Sequence, residues 1–111
     1  DSNTINNCTI ELDKISTAGT FAGVISTNSN SSTGSYGNNA NYTMVSNTTV
    51  NGGYYGVRYN GASASTPNST NNAVVNCTFN EMRYYPIYFI YQDGAIVTGN
   101  RISFRASATA G

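Results

Sequence analysis

A chain of 111 residues with five basic and five acidic side chains, no His and no Trp is long enough for one domain and carries no net charge. Its 17 Asn and 27 Ser plus Thr make about 40% of it small, uncharged and hydrogen-bonding, against only 20 Val, Ile, Leu and Phe. Neutrality removes the Lys/Arg field that nucleic acids and anionic lipids require, the longest apolar run (Ile87 to Tyr91) is far too short to cross a bilayer, and the lack of His excludes Ser/His/Asp and Cys/His nucleophiles.

The first element in the chain is Ile5-Asn6-Asn7-Cys8-Thr9-Ile10, which reads apolar, x, Asn, small polar, x, apolar. It runs on through Glu11-Leu12-Asp13 with period two, so Ile10 and Leu12 are expected to point inward and Glu11 and Asp13 outward from a strand. Phe21-Ala22-Gly23-Val24 follows as aromatic, x, Gly, β-branched. Residues 27–41, with almost nothing apolar but Tyr36, read as a loop insertion. The first block then returns as Val45-Ser46-Asn47-Thr48-Thr49-Val50 and the second as Tyr54-Tyr55-Gly56-Val57, before a second insertion at 60–72. A third pair is Val74-Val75-Asn76-Cys77-Thr78-Phe79 with Tyr84-Tyr85-Pro86-Ile87. Between Ile87 and the fourth copy, Val97-Thr98-Gly99-Asn100-Arg101-Ile102, the loop shrinks to Gln92, Asp93 and Gly94, and after that copy no second block follows. Two blocks recurring in one order, with starts at 5, 45, 74 and 97, constitute a repeat. Helical spacing and capping boxes are missing and Leu occurs once, so residues 1–111 are expected to form one all-β domain, or a segment of a longer one.

Short strands in a repeat whose core length is in the low twenties, lengthened by the insertions, favour a solenoid over a sandwich or a propeller blade, because a solenoid stacks each block on its own copy. Stacking predicts inward columns Ile5/Val45/Val74/Val97, Ile10/Val50/Phe79/Ile102 and Val24/Val57/Ile87. Asn7, Asn47 and Asn76 would form an asparagine ladder at a turn, ended by Gly99, where the amides bond between copies and the backbone tolerates a left-handed conformation. Cys8 and Cys77 share a repeat position with Thr48 between them, about 9.6 Å apart at two strand spacings, too far for a disulfide. Two separate thiols are expected.

Taken together, Asn-Asn-Cys-Thr-Ile, Val-Ser-Asn-Thr-Thr-Val, Val-Asn-Cys-Thr-Phe and Val-Thr-Gly-Asn-Arg-Ile, the first three followed by a Gly-Val-like block, resemble the right-handed parallel β-helix repeats of the pectin-lyase-like superfamily. The resemblance covers most of the chain. It implies a single-stranded right-handed parallel β-helix, a β-solenoid of about four coils with three short strands in each, and the chain shows no evident caps. No particular activity follows, since that fold carries lyases, hydrolases, epimerases, phage tailspikes and inert adhesin stalks.

The acids are Asp1, Glu11, Asp13, Glu81 and Asp93. Glu11 and Asp13, facing out beside Asn51 on the next copy, are an oxygen-ligand candidate for calcium, the one cofactor the sequence leaves open, although a competent calcium site takes six or more oxygens. No second carboxylate wall is evident for a glycosidase. The superfamily's clustered aspartates with Gly-His-Gly and Arg-x-Lys are missing. Arg83-Tyr84-Tyr85-Pro86 departs from its lyase pattern Arg-x-Pro-x-x-Arg, so no catalytic residue is assigned.

Seven of nine tyrosines fall between residues 54 and 91. With Val57 and Ile87 inward, Arg58 and Tyr88 would stack outside, and Tyr55 on Tyr85 likewise, giving a strip suited to sugar rings or to another protein chain. Six Asn-x-Ser/Thr sequons begin at Asn7, Asn30, Asn41, Asn47, Asn68 and Asn76, of which Asn30, Asn41 and Asn68 are the loop candidates for glycosylation. Heavy Asn/Ser/Thr/Tyr use with low charge suits an extracellular or cell-surface setting. The role expected is a non-enzymatic structural or adhesive segment, a stalk, filament or surface protein, that assembles with copies of itself or within a larger surface protein through open ends. The alternative is a carbohydrate-active portion, a lyase, hydrolase or tailspike, or a module that binds polysaccharide through the Tyr strip.

Overall fold

The structure is a computed structural model, and it describes residues 2–16, 18–27, 37, 40–61 and 69–105. These are all-β, and every strand pairing among them is parallel. The first copy of the repeat supplies β1 (Asn3–Asn6), β2 (Thr9–Glu11) and β3 (Ala22–Ser26), and the second β4 (Thr43–Ser46), β5 (Thr49–Asn51) and β6 (Tyr55–Asn60). The third supplies β7 (Ser69–Thr70), β8 (Ala73–Val75), β9 (Thr78–Met82) and β10 (Tyr85–Ile90), and the fourth β11 (Gln92–Asp93), β12 (Ile96–Thr98) and β13 (Arg101–Phe104). Each strand pairs with its counterpart in a neighbouring copy, giving sheets ordered β1-β4-β8-β12, β2-β5-β9-β13, β3-β6-β10 and a two-stranded β7-β11.

The β7-β11 pair corrects the sequence reading, which ran Ser69 and Thr70 into the 60–72 insertion and took Gln92 and Asp93 as a connector. Polar two-residue strands carry no hydrophobic period, and what fixes them is the backbone of the adjacent copy.

Registers place Ile5 on Val45, Val45 on Val74 and Val97 on Val74, then Ile10 on Val50, Val50 on Phe79 and Ile102 on Phe79, then Val24 and Ile87 on either side of Val57. Val45, Val50, Val57, Val74 and Phe79 are fully buried and, with Tyr59, Cys77 and Met82, make the core. Val97 and Ile102 occupy the same columns yet stay half exposed, since strands at the end of a stack have one neighbour instead of two.

Corners between strands are made by left-handed residues. Asn7, Asn47 and Asn76 have φ of 57°, 49° and 54°, and Gly99 takes the same place at 68°. Tyr42, Asn71 and Gly94 form a second such row, and Gly52 with Glu81 a third. Asparagine suits these positions because its short amide bonds locally and offsets part of the Cβ clash. The linkage between copies runs mainly through the backbone, as Asn7, Asn47 and Asn76 donate their N–H to the carbonyls of Ser46, Val75 and Thr98. Side chains from the next copy then plug the corners: Thr48 Oγ1 accepts from Cys8 N, Asn100 Oδ1 from Cys77 N, and the fully buried Asn72 from Thr43 N. Buried backbone N–H groups that miss the ladder are thereby satisfied.

Candidate functional site

Parallel pairing of β6 with β10 lays Tyr55 against Tyr85 and Arg58 against Tyr88. Tyr55 and Tyr85 stack with centroids 5.6 Å apart and planes at 12°. Tyr88 meets both edge-on, at 5.7 and 5.1 Å. The Arg58 guanidinium lies over the Tyr55 ring at 4.4 Å and the Tyr88 ring at 4.6 Å, and its Nε donates to Asn60 Oδ1. All four residues of the strip are therefore brought together.

The strip is larger than the sequence reading and its cation sits deeper. Tyr54 and Tyr84 add a second stack at 5.2 Å and 12°, joined to the first through Tyr84 and Tyr85 at 4.2 Å. Both belong to the aromatic block already recognised, so their shared register with Tyr55 and Tyr85 was the available signal. Arg58 points outward as its strand position requires, but the rings on that face cover it to 8% exposure. It therefore braces the tyrosines from beneath rather than standing in solvent as a free ligand. Burial raises the Tyr55 hydroxyl's pKa, with Arg58 pulling the other way, and the Tyr85 pKa is raised chiefly by its hydrogen bond with Tyr84. Both phenols are neutral at physiological pH, leaving a half-exposed, uncharged aromatic surface over one buried cation.

Glu11 and Asn51 are register partners, and Asn51 donates its amide to Glu11 Oε2. The Asn51 oxygen is taken in turn by Asn80 Nδ2 at 2.9 Å. Glu11, Asn51 and Asn80 thus form a side-chain ladder of their own. Asp13 is engaged within its own turn, where its carboxylate accepts the N–H groups of Ser16 and Ile15, which hold its pKa below the ordinary value. Among the described residues no three His, Cys, Asp or Glu group together.

Cys8 is exposed, Cys77 is buried, and both are free thiols. The ladder residues Asn7, Asn47 and Asn76 are exposed, and the amide of Asn47 reaches Asn6 Oδ1 rather than Asn7. Of the glycosylation candidates, Asn30 and Asn68 lie outside the described residues. Asn41 is half-buried, with its Oδ1 accepting from Thr70 N and Oγ1. The sequence reading missed the buried polar set Asn60, Asn72 and Arg105, which hydropathy alone places outside. No protein-family model, curated protein or solved structure matches this chain.

Proposed function

We propose that the four sheets are faces of one parallel β-solenoid of about four coils, of the right-handed β-helix kind, serving as a non-enzymatic structural or adhesive segment on an extracellular surface. The observation that carries this is the parallel stacking of like strands from successive copies of the repeat, which orders the described strands as β1-β4-β8-β12 and β2-β5-β9-β13. At one end β12 and β13 are edge strands on which Ile96, Val97, Ile102 and Phe104 are 53, 50, 50 and 38% exposed. At the other, β1 and β2 are edge strands carrying Ile5 and Ile10. A second copy, or a further coil, set with β1 and β2 on β12 and β13 would continue the same apolar columns and extend the parallel pairing of these edge strands. The Asn/Ser/Thr/Tyr-rich, weakly charged composition supports the extracellular setting.

Sedimentation velocity and electron microscopy at tens of micromolar test this. End-on stacks that disperse in Val97→Lys and Ile102→Lys variants are expected, and a monodisperse wild-type monomer overturns it. A second reading, glycan binding without turnover, is favoured by the half-exposed rings of Tyr54, Tyr84 and Tyr85. A glycan array on which Tyr85→Ala loses binding would support it.

A further inference from the structure

Four phenol rings close on one another where β6 and β10 begin. Tyr54 meets Tyr55 at 4.9 Å and Tyr84 meets Tyr85 at 4.2 Å, and the two pairs lie over each other across the copies at 5.2 and 5.6 Å. Both of these cross-copy contacts hold the ring planes 12° from parallel. Backbone bonds on either side of Tyr84, from Arg83 N to Gly53 O and from Tyr85 N to Tyr54 O, both 2.9 Å, pin it over Tyr54. Two phenols 30 positions apart in the chain are thus held in permanent contact by the register of the repeat.

Their surroundings single out Tyr54 and Tyr84 within this cluster. Both are half-buried and sit on the bends just before β6 and β10, where a ring can turn, whereas Tyr55 and Tyr85 are fixed on the strands and Tyr55 is only 9% exposed. The buried Arg58 guanidinium lies over the Tyr55 and Tyr88 rings, at 4.4 and 4.6 Å. A cation on a ring face is attracted by its electrons, so withdrawing an electron from either of those rings costs more. Oxidation is steered away from the rings that Arg58 touches.

We propose that Tyr54 and Tyr84 are a site of oxidative cross-linking, joined carbon to carbon as a dityrosine that staples the second copy of the repeat to the third. Each phenol gives up one electron and one proton, and the two phenoxyl radicals couple through the carbons ortho to their oxygens. The hydrogen on each coupled carbon then moves to the neighbouring oxygen and restores both phenols. The oxidant is hydrogen peroxide acting through a peroxidase, and the two electrons and two protons reduce it to two water molecules. The protein loses two hydrogens in all. Such a bridge stabilises as a disulfide does, by restricting the unfolded chain. It needs neither end-on stacking nor a bound glycan.

The test treats the whole chain, dilute, with a haem peroxidase and hydrogen peroxide, isolates the monomer and digests it with trypsin, which cuts after Lys14, Arg58, Arg83 and Arg101. Mass spectrometry is expected to find residues 15–58 joined to residues 84–101, two hydrogens lighter than the separate peptides together. Tyr54→Phe and Tyr84→Phe keep a ring in the stack but have no phenol to oxidise, and each is expected to lose the joined peptide, while Tyr55→Phe and Tyr88→Phe keep it. Oxidation in concentrated urea, which separates the repeats, is expected to lose it as well. Absence of the joined peptide from the wild-type monomer overturns the proposal. So do bridges found only between separate molecules, and a joined peptide that persists in Tyr54→Phe or in urea.

Discussion

Single residues at the corners carry a constraint that their exposure hides. Asn47 sits at φ 49° on the surface, and its side chain makes one bond, to Asn6. A β-branched residue there meets the left-handed penalty of about 1–2 kcal/mol, whereas glycine escapes it. Asn47→Val is accordingly expected to lower the urea midpoint clearly, and Asn47→Gly to change it by much less. Gly56 is constrained by space instead: a Cβ there would stand 2.3 Å from the Pro86 carbonyl oxygen and 2.5 Å from Phe79 Cδ1. Neither neighbour is free to yield, so Gly56→Ala is expected to cost about 1–3 kcal/mol by overpacking, read from the same denaturant curves. Titration adds a third residue effect. Because the Tyr59 pKa is raised from 10.0 to about 12, the fold holds a proton that the unfolded chain releases between those values. The stability present below pH 10 is therefore lost as pH rises towards 12, by up to about 1.4 kcal/mol per pH unit. Thermal melts across that window should show a shallower decline in Tyr59→Phe.

At the scale of the strand, position within a stack matters more than residue type. Phe79 and Ile102 are neighbours in one column, on β9 and β13, yet the first is fully buried and the second half exposed. Phe79→Ala removes a ring packed between Val50 and Ile102 and is expected to cost about 3–5 kcal/mol. Ile102→Ala, with one packed side, is expected to cost well under the 2–5 kcal/mol typical of buried sites. Chemical denaturation of the two variants side by side checks the contrast. The aromatic strip follows the same rule, since Arg58 is buried by what stacks around it on β6 and β10 and not by its own hydropathy.

Across the whole molecule, one side chain joins repeats distant in sequence. Arg105, just past β13, is 8% exposed, and its guanidinium donates to the carbonyls of Glu81, Ser16, Asp13 and Gly53. It thereby fastens the last described repeat to the first across 89 and 92 residues of chain. The planar fork of arginine reaches several acceptors at once, which the single ammonium of lysine cannot. Arg105→Lys is expected to lower the melting temperature and Arg105→Met to lower it further, on the order of 1.5–3 kcal/mol, the usual range for hydrogen bonds to a charged group. The surface pair Lys14–Glu81, 3.1 Å apart with both side chains about half exposed, should by comparison be nearly silent when Lys14→Ala is melted.

The sequence by itself determined the strands that carry apolar side chains, their parallel stacking register, the left-handed row at Asn7, Asn47 and Asn76, and the meeting of Tyr55, Arg58, Tyr85 and Tyr88. A repeat aligned with itself specifies which residues share a column, and stacked parallel strands turn that alignment directly into contacts. Tertiary structure alone decided the polar strands β7 and β11, the burial of Arg58, Asn72 and Arg105, and the capture of the Asp13 carboxylate by the Ser16 and Ile15 N–H groups. Each of these depends on what lies across a column or beyond a corner, where backbone carbonyls and neighbouring rings accept or cover a polar group, and hydropathy along the chain carries no record of such partners.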